Sequence, residues 1–318
     1  LAMKKSLIAL AVLGFAGAAM AQSSVTLYGV ADAGIGKIEA GSGAGGNDAS
    51  DKTEFISGSL MNNGNSRIGV RGVEDLGGGL KAGFNFESGL DLDNGNNLGS
   101  GGGFWGRAAN LWLGGNWGTF KMGRTLNPSF YGIATWELTG TANYSVVGNT
   151  YNYAGGGARN NSQFSYKTPN MGGFSAELGY ILKPDNGDRA KWDVNAIYAN
   201  GPIGVGLSAN KVKSGKTNYA LGGKYNFGNF ALAGSYTTAH NAANAKRRGF
   251  SLGGTATFGA ASLTLDLTRD TKNEWTGKKY TNGLVEAKYA LSKRTFVYGA
   301  FLRLDDTNNY GIGVRHNF

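Results

Sequence analysis

The chain has 318 residues with 31 Lys and Arg against 21 Asp and Glu, a formal charge of +10, but only two histidines and no cysteine. The missing thiols exclude disulfides, thiolate nucleophiles and cysteine-bound zinc together, and His240 and His316 alone leave little for acid–base or metal chemistry. What remains, 55 Gly, 15 Tyr and 16 Phe, is unusual for a soluble enzyme.

The first segment reads as a targeting signal. Leu1 and Ala2 precede the expected start, Met3; Lys4 and Lys5 form a positive end, 7–19 is apolar, and Ala19-Met20-Ala21 gives a small-x-small cleavage site before Gln22. The apolar stretch is short for a membrane span. Residues 1–21 are therefore expected to be a cleaved signal peptide and 22–318 a single domain. Beyond that segment no run of 18 apolar residues occurs, so a membrane helix is not available. Positive charge is spread along the chain. Its longest cluster, Lys246-Arg247-Arg248, sits in a polar stretch that reads as a loop with no recognition fold beside it, so nucleic acid is not an expected partner.

From Val25 onward the pattern is that of strands. Ser66-Arg67-Ile68-Gly69-Val70-Arg71 and Leu80-Lys81-Ala82-Gly83-Phe84-Asn85-Phe86-Glu87 alternate with period two. In the last segment Tyr310, Ile312, Val314, His316 and Phe318 fall on one face, with Gly311, Gly313, Arg315 and Asn317 on the other. A wall with lipid on one side and water on the other needs this alternation. The gaps between strands alternate as well. Short ones lie near 74–79, 114–118, 169–173, 200–202, 228–229, 259–260 and 292–294. Long or polar ones lie near 37–65, 91–106, 125–158, 183–190, 213–215, 239–248, 270–281 and 305–308. These predict sixteen strands with both chain ends on the short-turn side: an all-β, transmembrane antiparallel 16-stranded β-barrel. A barrel of about that size encloses an aqueous channel, and closure pairs every backbone group inside lipid. A soluble β-sandwich would need apolar residues inward and polar ones outward, which the segment ending at Phe318 does not offer.

Several stretches resemble the trimeric porins of Gram-negative bacteria: Val25-Thr26-Leu27-Tyr28-Gly29-Val30, Ser66 to Gly77, Tyr166-Lys167-Thr168-Pro169-Asn170 and Leu291-Ser292-Lys293-Arg294-Thr295. The ending Gly313-Val314-Arg315-His316-Asn317-Phe318 is similar to porins of β-proteobacteria in particular. The resemblance implies a homotrimer in the outer membrane, contacting its lipid and lipopolysaccharide. It implies a third outer loop, here 125–158, folded inward to narrow the channel. It also implies that Phe318 is the terminal aromatic read by the outer-membrane assembly machinery, and that small hydrophilic solutes are the cargo.

The charges suggest which solutes. Alternation turns Arg67 and Arg71 towards water, opposite Ile68 and Val70, and puts Arg159 opposite Phe164 and Tyr166. Position by position, Arg67, Arg107 and Arg159 match the family's constriction arginines and Glu87 a neighbouring carboxylate. Lys81 shares the face of Glu87 nearer the short-turn end. Arg71 is expected below the narrowing, and Arg124, with the parity of Phe120 and Met122, is as much a loop anchor as a pore residue. Segment 125–158 holds one acid, Glu137, and no Lys or Arg, where cation-preferring relatives carry several carboxylates. Three arginines against Glu87 and Glu137 predict a net positive waist and small anions as preferred solutes. Each arginine has a plainer reading as a solvated wall residue, since isolated surface charges contribute little.

No catalytic constellation, cofactor or metal site is expected. Gly77-Gly78-Gly79 and Gly101-Gly102-Gly103 lack the lysine and helix of a phosphate loop and read as turns, and Asp305-Asp306 reads as a solvated outer loop with too few ligands for calcium. Two readings of the channel stay open: general diffusion with anion preference, and a substrate-specific channel with a defined site for phosphate or an organic acid.

Overall fold

The computed structural model describes residues 24–41, 50–98 and 103–318; the expected signal peptide lies outside them. Among the described residues seventeen strands form one antiparallel sheet. They are β1 (Ser24–Lys37), β2 (Thr53–Ser57), β3 (Arg67–Gly77), β4 (Leu80–Gly89), β5 (Ala108–Gly115) and β6 (Gly118–Leu126). After a long loop come β7 (Arg159–Lys167), β8 (Phe174–Ile181), β9 (Lys191–Asn200), β10 (Ile203–Val212), β11 (Asn218–Asn226) and β12 (Phe230–His240). The chain ends with β13 (Lys246–Phe258), β14 (Ala261–Asn273), β15 (Thr281–Ala290), β16 (Thr295–Leu304) and β17 (Thr307–Asn317).

The sheet closes on itself. One edge of β1 pairs with β17, from Val30↔Asn317 to Lys37↔Tyr310, and the other pairs in its first half with β3, from Ser24↔Val73 to Val30↔Arg67. Sixteen strands make the barrel. The extra one, β2, belongs to the first outer loop and continues the edge of β1 beyond β3, from Ala33↔Ser57 to Lys37↔Thr53. The expected short turns appear where the gaps were short. At Gly77, Gly78 and Gly79 all three φ angles are positive, at 82°, 61° and 82°, a conformation side-chain-bearing residues rarely adopt. The expected loop at 305–308 is only the pair Asp305-Asp306, tighter than its polarity suggested.

Leu27, Ile68, Leu111, Leu207, Leu221, Leu252, Leu265 and Ile312 are all at least 40% exposed and form the outer band. Their strand neighbours point inward. Lys246-Arg247-Arg248, expected in a loop, opens β13 instead. Arg247 is buried because two carboxylates receive its fork: Asp270, with both contacts at 3.0 Å, and Asp305, nearest at 2.5 Å. Charge-assisted bidentate pairs of this kind offset the burial of a guanidinium.

At the seam, Gly29 and Phe318 exchange two backbone hydrogen bonds of 3.0 Å, and the Phe318 ring lies over Gly29 where any Cβ would collide with it. Gly29→Val should push the ring off the seam at a cost of ~1–3 kcal/mol. The folded barrel should then lose its compact gel mobility at a lower temperature than wild type; an unchanged transition temperature would show that the ring contributes nothing to closure.

Candidate functional site

The inner surface divides into two unlike halves. Over β8–β16 it is covered by the third outer loop, which carries α1 (Pro128–Ala134) and α2 (Val146–Tyr151). Short helices need local reasons to form. Asn127 caps α1 by accepting from the Phe130 N–H at 2.8 Å, with Pro128 opening the first turn. Ser145 caps α2, and Asn152 ends it in the left-handed region at φ 45°.

Inward-facing wall residues hold the loop. Asp193 accepts from both the N–H and the hydroxyl of Ser129 at 2.7 Å. Glu286 accepts from Tyr144 at 2.7 Å, and burial followed by that carboxylate raises the Tyr144 phenol far above its ordinary range. Thr150 meets Thr268 at 3.0 Å and Asn282 at 2.9 Å. From the first outer loop, the Asn63 side chain donates to Tyr144 at 2.8 Å, while Asn143 donates to the Ser59 carbonyl at 2.8 Å. Trp136, Tyr144, Val146, Val147 and Tyr151 then pack with Met61, Leu284 and Leu302 into an apolar core inside the barrel. Each large side chain fully removed from water contributes roughly 1.5–3 kcal/mol. The wall under the loop is glycine at the points of closest approach: a Cβ on Gly222 would strike the Trp136 ring, and one on Gly206 the α1 backbone at Gly132.

The other half, β17, β1 and β3–β7, is left to charge. Glu87 on β4 is its hub. It takes Arg107 Nε at 2.7 Å and the Tyr28 hydroxyl at 3.0 Å, with Arg67 Nε 3.5 Å away. Arg159 donates from Nε to the Arg107 carbonyl at 2.9 Å, and it lies within electrostatic reach of Arg107, Glu87, Arg124 and Arg67. The expected quartet Arg67, Arg107, Arg159 and Glu87 is thus one cluster. The Arg67, Arg107 and Glu87 side chains remain 21%, 10% and 13% exposed, so they meet water inside the barrel.

The route by which Arg159 arrives differs from simple alternation. A register shift between Gly123 and Thr125, with Ser162 at φ 46°, turns Asn160 inward to bond Gln163 and Lys191. Such a bulge re-aims the residues beyond it. Arg124 flanks the same bulge and is tied to the Gly106 carbonyl and to Asn161, an anchor of the neighbouring loops. Arg71 stands four residues beyond Arg67 along β3 with its guanidinium over the Tyr28 ring at 5.3 Å, and Lys81 is exposed near the short-turn end.

Glu137 is not part of this cluster. It is 2% exposed, and its carboxylate accepts from Thr139 N–H at 2.9 Å, Thr139 Oγ1 at 2.6 Å and Thr141 N–H at 2.6 Å. Its charge serves the turn after α1, because a buried carboxylate needs such donors. Two members of the charged half were not singled out from the sequence. Tyr28 holds Glu87, and Arg315 on β17 donates to Asn63 at 2.8 Å and is within electrostatic reach of Arg67. Both carry the inward parity of their strands, a signal present in the sequence. Among the described residues the waist therefore gathers four arginines around Glu87, with a second carboxylate, Asp32, beside Arg315, buried and accepting from the Tyr298 hydroxyl, the Asn62 amide and the Gly64 N–H.

The chain matches the Gram-negative porin family over residues 6–317. It is 34% identical to outer membrane porin protein 32 of Delftia acidovorans, covering 98% of this chain and 93% of that protein. It is 30% identical to an outer membrane porin protein of Bordetella pertussis, covering 99% and 100%. Among solved structures, an anion-selective porin from Comamonas acidovorans superposes with a TM-score of 0.76 at 28% identity, covering 93% of this chain and all of that one. An outer membrane protein of Vibrio cholerae shares the fold at 19% identity and a TM-score of 0.69.

Proposed function

The chain belongs to the Gram-negative porin family, a multi-pass β-barrel of the outer membrane, and from that premise we propose that it is a water-filled diffusion channel preferring small anions. One observation carries the preference. Arg67, Arg107, Arg159 and Arg315 gather on rigid strands and outnumber the two carboxylates beside them, Glu87 and the buried Asp32, while the loop facing them has its one acid turned away. Rings of arginine favour anions because fixed positive charge lowers the energy of an entering anion and raises that of a cation. Guanidinium groups hold that charge at any relevant pH and can grip carboxylate or phosphate in a planar fork. The name of the Comamonas relative points the same way.

The same reading makes the barrel one subunit of a homotrimer, exported by a signal peptide over residues 1–21 and handed to the outer-membrane assembly machinery through Phe318. Lipid and lipopolysaccharide surround it, and small anionic solutes pass through it. The test is a reversal potential. With purified channel in a planar bilayer and a tenfold KCl gradient, the potential should take the sign of chloride permeation, and conductance should stay linear in substrate. A potassium-directed potential would overturn the anion reading; saturation by phosphate or an organic acid would favour a dedicated binding site.

A further inference from the structure

Below the charged waist, towards the short turns, a second inward-facing group combines an aromatic ring with charges of both signs. Leu111, Leu113, Met122 and Leu178 are exposed on the outer band, so their strand neighbours Trp112, Lys121 and Glu177 point into the barrel. Trp112, Lys121 and Ser165 are level with one another on β5, β6 and β7. Lys167 and Glu177 pair in the next row down, on β7 and β8. Together these residues line a cleft of about 280 Å³. The Trp112 indole lies over Gly83 of β4, where any Cβ would collide with it. The ring is thus seated on bare backbone on one side, and it remains half-exposed, which leaves its other face to the cleft.

Glu177 is the unusual member. It is 4% exposed, yet among the described residues its carboxylate accepts no hydrogen bond and forms no ion pair. A buried carboxylate without donors is costly, and others inside this barrel are supplied: Glu137 by Thr139 and Thr141, Asp193 by Ser129, Glu286 by Tyr144. Lys121 lies within electrostatic reach of both Glu177 and Lys167, and Tyr131 of α1 within reach of Glu177, but none of them closes on the carboxylate. The site is held in shape from above. Asn195 accepts from the Glu177 backbone N–H at 3.0 Å and donates to the Pro128 carbonyl of α1 at 2.8 Å. The cleft therefore keeps a carboxylate and two ammonium groups apart, with an aromatic face beside them.

Resting on the reading of the lumen as an open channel, we propose that this cleft binds aromatic α-amino acids as zwitterions. Glu177 takes the ammonium group, Lys121 with Lys167 takes the carboxylate, and the solute's ring stacks on Trp112. Such a solute has no net charge, so the arginines of the waist neither attract nor repel it as a whole. A purely anionic solute would satisfy the lysines but leave Glu177 unpaired and repelling it. A ringless zwitterion would leave the indole face unused.

Saturation-transfer NMR titration of the detergent-solubilised channel measures the affinity without requiring conduction. Wild type should bind L-phenylalanine saturably. L-Alanine, which lacks the ring, should bind about fivefold more weakly, and phenylacetate, which lacks the ammonium group, about tenfold more weakly. Glu177→Gln, which keeps the side-chain shape, should weaken L-phenylalanine about tenfold and abolish its advantage over phenylacetate. Trp112→Leu should abolish the advantage of L-phenylalanine over L-alanine, and Trp112→Phe should retain it. Absence of saturable L-phenylalanine binding, or equal binding of phenylacetate by wild type, overturns the proposal; these two results need no variant to fold. A Glu177→Gln channel that still prefers the amino acid overturns it as well. KCl conductance of the wild-type preparation in a planar bilayer tests the other reading. No conductance would overturn the open channel, whereas normal conductance without L-phenylalanine binding would overturn the cleft alone.

Discussion

Arg67→Glu should move the reversal potential strongly towards cations. The substitution changes the waist by two charge units and places the new carboxylate beside Glu87, whose partner Arg67 Nε now lies 3.5 Å away. Two unit charges at 4 Å interact by about 1 kcal/mol in water and about 4 kcal/mol at an effective dielectric of 20. Screening over about 8–10 Å lowers both figures for ions crossing off-axis. An effective change near 1.4 kcal/mol is a tenfold ratio, so the chloride-to-potassium permeability ratio should fall by about tenfold. Arg67→Lys, which keeps the sign but loses the fork, should shift it far less. If Arg67→Glu leaves the potential where it was, Arg67 is only a solvated wall residue and the selectivity must arise elsewhere.

The second large effect is expected under the third outer loop. A Cβ at Gly206 would run into the α1 backbone at Gly132, with no flexible side chain there to give way. Gly206→Val should cost about 1–3 kcal/mol or more in overpacking and lift α1 from the wall, breaking the paired donation of Ser129 to Asp193. Single-channel recordings should show larger or fluctuating conductance, while the reversal potential keeps its sign. Wild-type conductance with quiet openings would mean that the loop is not seated by this contact.

Much of the barrel was legible in the sequence, and the reason is uniform. Where a strand has lipid on one side and water on the other, as at Arg67 to Arg71 or Tyr310 to Phe318, each residue declares its face. The reading weakens where a third environment intervenes. Leu284, Leu302 and Leu304 point inward yet are apolar, because the third loop covers them. Next to Val285 and Phe301 they erase the alternation. Glu137 was misplaced for a related reason: its charge was visible, but the donors of Thr139 and Thr141 that absorb it depend on how the turn folds. Arg159 reached its place through a bulge that parity cannot register. Tyr28 and Arg315 had the correct parity and needed only the three-dimensional neighbourhood of Glu87 and Arg67 to be recognised.

On the function proposed above, sign and size are set in this molecule by different stretches of chain. The fixed positive groups sit on or at the ends of hydrogen-bonded strands, whereas the obstruction that shares the lumen with them is an insert without a single Lys or Arg, its one acid absorbed by its own turn, pinned through Asp193, Glu286 and Asn63. Mutational drift in the insert can thus alter how bulky a solute is admitted without inverting which ionic species is admitted. Drift among the arginines can do the reverse, leaving two traits of one conduit free to evolve apart.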